Sequence, residues 1–160
     1  MADNKSTTAR VVTHPAAGTL EATVELAASP ERVFTALASR EITDWWVRPG
    51  VFDTREWTAD VRPGGRWKAT GVSRGQPYAA TGDILEVDAP RKLVHTWDGV
   101  GAAGAPSTLT YELEPLPNGT RLVLRQAGFS SEMACREFAA GWQTSFERLE
   151  QVLDVGASVA

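Results

Sequence analysis

The last third of the chain sets the strongest limits on the fold. Residues 108–114 and 120–126 alternate apolar and polar side chains on either side of Pro117-Asn118-Gly119, and an Asn-Gly pair between alternating runs is a strong hairpin signal. Gly128-Phe129 then leads into residues 131–153, where Phe138, Trp142, Ser145, Leu149 and Val152 recur at helical spacing with Phe146 on the flank of that face. At 1.5 Å per residue the predicted helix is about 33 Å long. Gly141, next to Trp142, is a point at which it could press close to a sheet. Antiparallel strands followed by one long amphipathic helix require a layered α+β arrangement in which the helix covers one face of the sheet.

The upstream pattern supplies the rest of that sheet. Residues 19–28 place Leu20, Ala22, Val24 and Leu26 on one face and Glu21, Thr23 and Glu25 on the other, the alternation of a half-buried strand. Ser29-Pro30-Glu31 has the cap, the first-turn proline and the acidic residue of a helix start, with Val33, Phe34 and Leu37 as its apolar stripe. Ser39 and Glu41 begin a second short helix ending near Trp45-Trp46, closed by Pro49-Gly50. From Phe52 onward strands alternate with turns at residues 62–65, 74–77 and 88–90. Residues 98–107 are rich in Gly and Ala and read as a loop. Residues 1–17 are polar and aperiodic and are expected to form a flexible tail ahead of one domain over residues 18–155. There is no internal repeat.

Composition removes several function classes. A net charge of -4 gives no basic surface for nucleic acid. Cys135 is the only cysteine and His14 and His95 the only histidines, so an internal disulfide is impossible and a metal-ligand set is not expected. No apolar run approaches the roughly 20 residues of a membrane helix, and the N-terminus has no apolar signal core; the expected location is the cytoplasm. No glycine-rich phosphate loop and no Gly-x-Ser-x-Gly elbow occurs, and no cofactor is expected. The remaining acid–base set, a weak catalytic candidate, is His95 with Tyr111 or Asp98.

Six tryptophans are the unusual component. Each buries roughly 150–250 Å² while one N–H seeks an acceptor. Alternation from an inward Trp67 sends Ala69 and Gly71 inward as well, and groups Leu93, His95 and Trp97, then Leu109, Tyr111 and Leu113, then Leu122, Leu124 and Gln126. Met133, Phe138, Trp142 and Phe146 face them from the helix. The expected ligand-binding set is Trp67, Tyr78, His95, Trp97, Leu109, Tyr111, Leu124, Met133, Phe138, Trp142 and Phe146, an apolar wall with a few polar tips; the plain alternative is that these side chains fill a core. Trp45-Trp46 reads either as an exposed patch used in a dimer contact or as a lid.

The ordered set of residues resembles a known family. Pro30 with Val33-Phe34, Trp45 or Trp46 with Pro49, and Asp60, Arg62 and Gly64-Gly65 ahead of Trp67 carry the first half. The second half is carried by Gly82-Asp83-Ile84-Leu85-Glu86-Val87, Pro90 with Lys92-Leu93-Val94 and Thr96-Trp97, Gly119-Thr120, Gly128-Phe129, Gly141-Trp142 and Leu149. From about Gly18 to Leu153 the chain resembles the activator of heat shock protein 90 ATPase homologue-like proteins of the START-like superfamily. That resemblance implies a helix-grip fold: a curved antiparallel sheet wrapped around the C-terminal helix, two short helices after the first strand, and a cavity between. It implies a lipid- or polyketide-like hydrophobic small molecule as ligand and a homodimer. Its alternatives are a co-chaperone-like regulator of a heat shock protein 90 ATPase with a role in stress response, and a cyclase or hydratase using the same cavity. Two departures stand out: Ala89-Pro90 where many relatives read Pro-Pro, and Gln126 where many carry histidine.

Overall fold

A hairpin at the N-terminal end opens the sheet. β1 (Arg10–His14) and β2 (Thr19–Leu26) pair antiparallel from Arg10↔Thr23 to His14↔Thr19. A single 3-10 turn at Pro15–Ala17 joins them, closed by Gly18 at φ 68°, a conformation glycine reaches without steric cost. The computed structural model describes residues 7–48, 52–98, 107–129 and 131–159. The expectation of a tail up to residue 17 is therefore corrected for residues 7–17. Their anchor is tertiary: Glu150 on the C-terminal helix accepts from the Thr8 amide at 3.0 Å and the Thr8 hydroxyl at 2.9 Å, and the Gln143 amide donates to the Ala9 carbonyl at 3.1 Å.

Two short helices follow. α1 (Pro30–Ala38) starts as its sequence dictates, with the Ser29 hydroxyl accepting from the Arg32 amide and Pro30 in the first turn, and it buries Val33, Ala36 and Leu37. α2 (Ile42–Trp45) is a single turn. Then come β3 (Val47–Arg48), β4 (Phe52–Ala59), β5 (Arg66–Ser73), β6 (Gln76–Asp88), β7 (Lys92–Trp97), β8 (Ser107–Leu116), β9 (Gly119–Ala127) and α3 (Glu132–Val159). Among the described residues the strands form one antiparallel sheet in the order β1-β2-β9-β8-β7-β6-β5-β4-β3.

β6 holds the two ends of the sheet together. Residues 76–83 pair with β5, while Ile84 to Asp88 pair with β7 across an irregularity between Ile84 and Glu86. Such a bulge bends a strand and sharpens its twist, and the sheet curves around α3. The concave face carries every second residue: Leu20, Ala22, Val24 and Leu26 of β2, Leu93, His95 and Trp97 of β7, and Thr120, Leu122, Leu124 and Gln126 of β9 are all buried. α3 packs against β1, β2, α2 and β3. This is the helix-grip architecture, with α3 in the concavity.

Two turns differ from expectation. The β8–β9 turn is Pro117-Asn118, with Gly119 already the first residue of β9. Gly119 is required by proximity, because a Cβ there would lie 1.9 Å from the Leu26 carbonyl oxygen. The β5–β6 turn is Arg74-Gly75, both at positive φ, which lets Gln76 and Pro77 start β6 instead of extending the loop. Pro49-Gly50 and residues 99–106, read as a helix stop and a loop, lie outside the described residues.

Candidate functional site: an aromatic interior between sheet and helix

The concave face and α3 enclose a cluster of rings built around Trp46, the residue between α2 and β3. Its centroid lies 4.5 Å from Trp97, 6.1 Å from Trp67, 6.3 Å from Trp57 and 6.4 Å from Trp142, to which it is nearly parallel at 10°. Trp45 faces the other way, against Trp142 and Phe146 at 6.5 and 6.3 Å, and its indole N–H donates to the Ala36 carbonyl at 2.9 Å. Trp45 and Trp46 are only 0% and 6% exposed. This corrects their reading as a surface patch for a dimer contact: α2 folds them inward against α3.

Most polar atoms of the cluster are bonded within the protein. The Trp142 N–H donates to Gln126 Oε1 at 2.8 Å, and Gln126 Nε2 donates to Ser107 Oγ at 2.9 Å. Through this buried chain Gln126 fixes the Trp142 ring against β9. The Thr96 carbonyl accepts from the Trp67 N–H at 2.9 Å and from His95 Nδ1 at 3.0 Å. Gly82 makes that crossing possible, since a Cβ there would lie 1.9 Å from the Thr96 oxygen and 2.3 Å from the Trp67 nitrogen. Three buried polar atoms have no partner among the described residues: Trp57 Nε1 and Ser145 Oγ by the ring cluster, and Arg148 Nε further along α3.

Burial decides the electrostatics. His95 lies edge-on to Trp67 at 5.3 Å and 5.9 Å from Tyr111. Desolvation pulls its pKa down to about 4, against a smaller opposing effect of the bond to Thr96, so the ring is neutral at neutral pH. Desolvation also raises the Tyr111 hydroxyl well above its ordinary value. The interior is apolar and uncharged. A histidine so depressed is a weak base. Asp98, its suggested partner, is exposed, with its backbone paired to Thr81.

Most of the expected site residues come together. Trp67, His95, Trp97, Tyr111 and Trp142 join in direct ring contacts, and Phe138 and Phe146 extend the cluster along α3 at 5.5 Å from Trp97 and 5.6 Å from Trp142. Leu109 and Leu124, opposite His95 and Tyr111 in register, are fully buried beside them. Tyr78 is on the same sheet face but, among the described residues, shares no ring contact with the cluster. It is half-buried, its hydroxyl is bonded to that of Thr54, and burial is the main cause of its raised pKa. Met133 is a correction. It is 70% exposed, because nine residues before Trp142 is about two and a half helical turns, the opposite face of α3. The expected set omitted Trp46 and Trp57. Trp57 had a usable signal, since alternation along β4 puts it in register with Ala69, a neighbour of Trp67 on the inner face.

The outer face differs in kind. A concavity of about 460 Å³ is lined by Arg10, Glu21, Glu25, Arg121 and Arg125 among others. Arg125 pairs with Glu21 and Glu112, and Arg121 with Glu25 and Glu114, so these cations are largely neutralised. Among the described residues no group of His, Cys, Asp and Glu could hold a metal ion, and no helix is long and apolar enough to cross a membrane.

Known proteins share this architecture. A protein from Rhodobacter sphaeroides superposes with a TM-score of 0.77 at 21% identity, covering 92% of this chain and 98% of its own. Protein Ms6760 from Mycobacterium smegmatis does so at 0.74 and 23%, with the same coverage. A Chromobacterium violaceum protein reaches 0.73 at 26% identity, covering 85% of this chain and 96% of its own. A search of curated proteins finds no match. Residues 27–154 match the sequence profile described as Activator of Hsp90 ATPase homolog 1-like protein, and the chain therefore belongs to that family, within the START-like superfamily.

Proposed function

We propose that the protein is a binding module for a hydrophobic small molecule, lipid- or polyketide-like, held between the concave sheet face and α3. Trp67, Trp97, Tyr111 and Trp142 form the walls, with Leu109 and Leu124 beneath and Phe138 and Phe146 extending them along the helix. One observation carries the proposal: rings from β4, β5, β7, β8 and α3 converge on a single interior that contains no charged group. An apolar enclosure with a few directional polar groups is the usual makeup of a small-molecule site. Binding needs no proton transfer, in keeping with a histidine held neutral.

The test is a titration of intrinsic tryptophan fluorescence with thermal shift across fatty acids, sterols and flat aromatics. Saturable quenching with a rise in Tm is expected for at least one class, because a ligand that binds only the folded state stabilises it. Trp142→Ala is expected to weaken that ligand about ten-fold, roughly 1.4 kcal/mol. A flat response to every class overturns the proposal.

A further inference from the structure

We infer that the Trp46 indole occupies the ligand's own position, and that the cognate ligand is a flat aromatic of about two fused rings bearing a hydrogen-bond acceptor. The assignment rests on the binding function proposed above and specifies its ligand and its route of entry. Trp46 has the environment of a bound guest. It lies nearly parallel to Trp142, edge-on to Trp97 at 4.5 Å, and also contacts Trp57 and Trp67. A planar aromatic in its place would inherit the near-parallel ring and the edge contacts, which aromatic quadrupoles favour beyond the area they bury.

What holds Trp46 differs from what holds its neighbours. Trp67 and Trp97 sit within strands paired on both sides, and Trp142 lies inside a 28-residue helix with its N–H bonded to Gln126. Trp46 is carried between a four-residue helix and a two-residue edge strand that, among the described residues, pairs as Val47↔Asp53 and Arg48↔Phe52. Its own backbone, at φ -88° and ψ 67°, belongs to neither element. Segments with few ladder bonds open at low free-energy cost, so a deeply buried ring hangs on a short edge of the sheet.

The ligand's chemistry follows from an unmatched donor. Trp57 contacts both Trp46 and Trp67, and its buried Nε1 finds no acceptor among the described residues. An indole is donor-only, so Trp46 cannot satisfy Trp57. A ring nitrogen or carbonyl oxygen on a replacing aromatic can, and would recover part of the desolvation cost of that N–H. Ser145 Oγ, also buried and unpartnered, sits one turn beyond Trp142 on α3 and offers a second polar contact near the same wall.

The experiment compares wild type, Trp46→Ala and Trp46→Ala/Trp57→Phe, using indole, quinoline, naphthalene and decanoate as probes in calorimetry and thermal shift. Trp46→Ala is expected to bind indole and quinoline about ten-fold or more tighter than wild type, with indole restoring part of the lost Tm, because the competing side chain is gone. Quinoline, with its acceptor nitrogen, should exceed naphthalene by several-fold in Trp46→Ala, and that preference should vanish in the double variant. Should Trp46→Ala not fold, wild type labelled with 5-fluorotryptophan gives an independent reading: the Trp46 fluorine resonance, assigned with Trp46→Phe, must move when quinoline binds. A resonance that stays fixed while quinoline binds overturns the displacement. Decanoate binding to wild type with no aromatic gain in Trp46→Ala overturns the Trp46 assignment and leaves ligand binding intact. Failure of every probe with every protein overturns both.

Discussion

The two ends of the sheet are built differently. From β2 through β9 and β8 to β7 the ladder runs without a register shift and its concave face is buried residue after residue. From β5 to β3 the ladder shifts between Thr54 and Glu56, the edge strand has two residues, and the adjoining helix has one turn. Yet the aromatic interior draws on both ends: Trp97, Tyr111 and Trp142 from the regular end and its helix, Trp46, Trp57 and Trp67 from the irregular one. Regular pairing fixes one wall of the interior; on the other, Trp57 and Trp67 stand on long paired strands while Trp46 hangs between a one-turn helix and a two-residue strand. The binding proposed above needs both properties, a template that keeps its shape and a side that can yield.

The joint between the two ends is where the contrast is most easily broken. Gly82 lies in β6 where its pairing passes from β5 to β7, and the Trp67 indole crosses it to reach the Thr96 carbonyl. Gly82→Ala puts a methyl group 1.9 Å from that carbonyl oxygen, and neither backbone nor trapped ring can yield cheaply. The expected loss is about 3 kcal/mol or more in urea-induced unfolding, with the tryptophan emission shifting to the red. A loss below about 1 kcal/mol would mean that the ends are joined elsewhere.

His95 sharpens the same contrast through pH. Its folded pKa of about 4 is below the ordinary 6.5. Between those values the unfolded chain takes up a proton that the folded chain refuses, so stability is complete above pH 6.5 and falls as pH drops toward 4. The slope is about 1.4 kcal/mol per pH unit, roughly 3 kcal/mol over the window. Carboxylates titrate in the lower part of that range, so the readout is the difference between wild type and His95→Gln from pH 7 to pH 5. The variant should lack the acid-side decline; parallel curves would show that His95 accepts its proton in place.

How far the sequence foretold this arrangement depends on whether a residue's role is local or tertiary. Alternation placed Trp67, His95, Trp97, Tyr111 and Leu124 on the inner face because strand period is a property of the backbone, and Ser29-Pro30-Glu31 announced α1 because capping is local. β1 was illegible for the opposite reason: its short run Arg10-Val11-Val12-Thr13-His14 becomes a strand through β2 and through Glu150 and Gln143 of a helix more than a hundred residues away. Gly82 reads as an ordinary strand glycine until the Trp67 ring is seen to cross it. The burial of Trp46 likewise follows from α2 docking on α3 and not from its own neighbours in sequence. Met133 was legible and misplaced, since helical period alone sets it opposite Trp142.

The smallest effect belongs to the outer face of the regular end. Arg125 bridges Glu21 at 2.9 Å and Glu112 at 2.6 Å, linking β2, β9 and β8 across the sheet, and its pKa is raised chiefly by the bond to Glu112. The geometry invites the view that this ladder is what makes the regular end regular. Its surroundings argue otherwise: the Arg125 side chain is 53% exposed and its partners 42% and 46%, so water and salt screen the attraction and ordering three long side chains costs entropy. Arg125→Met keeps most of the aliphatic stem and removes the charge. It is expected to cost less than about 1 kcal/mol, and less still in roughly 0.5 M salt. A loss above about 2 kcal/mol, shrinking steeply with salt, would transfer the rigidity of this end from its buried face to its charged one. The irregular end, where Arg55–Asp53 and Arg66–Asp83 are isolated exposed pairs and not a three-strand ladder, would then differ from it in surface electrostatics as much as in strand pairing.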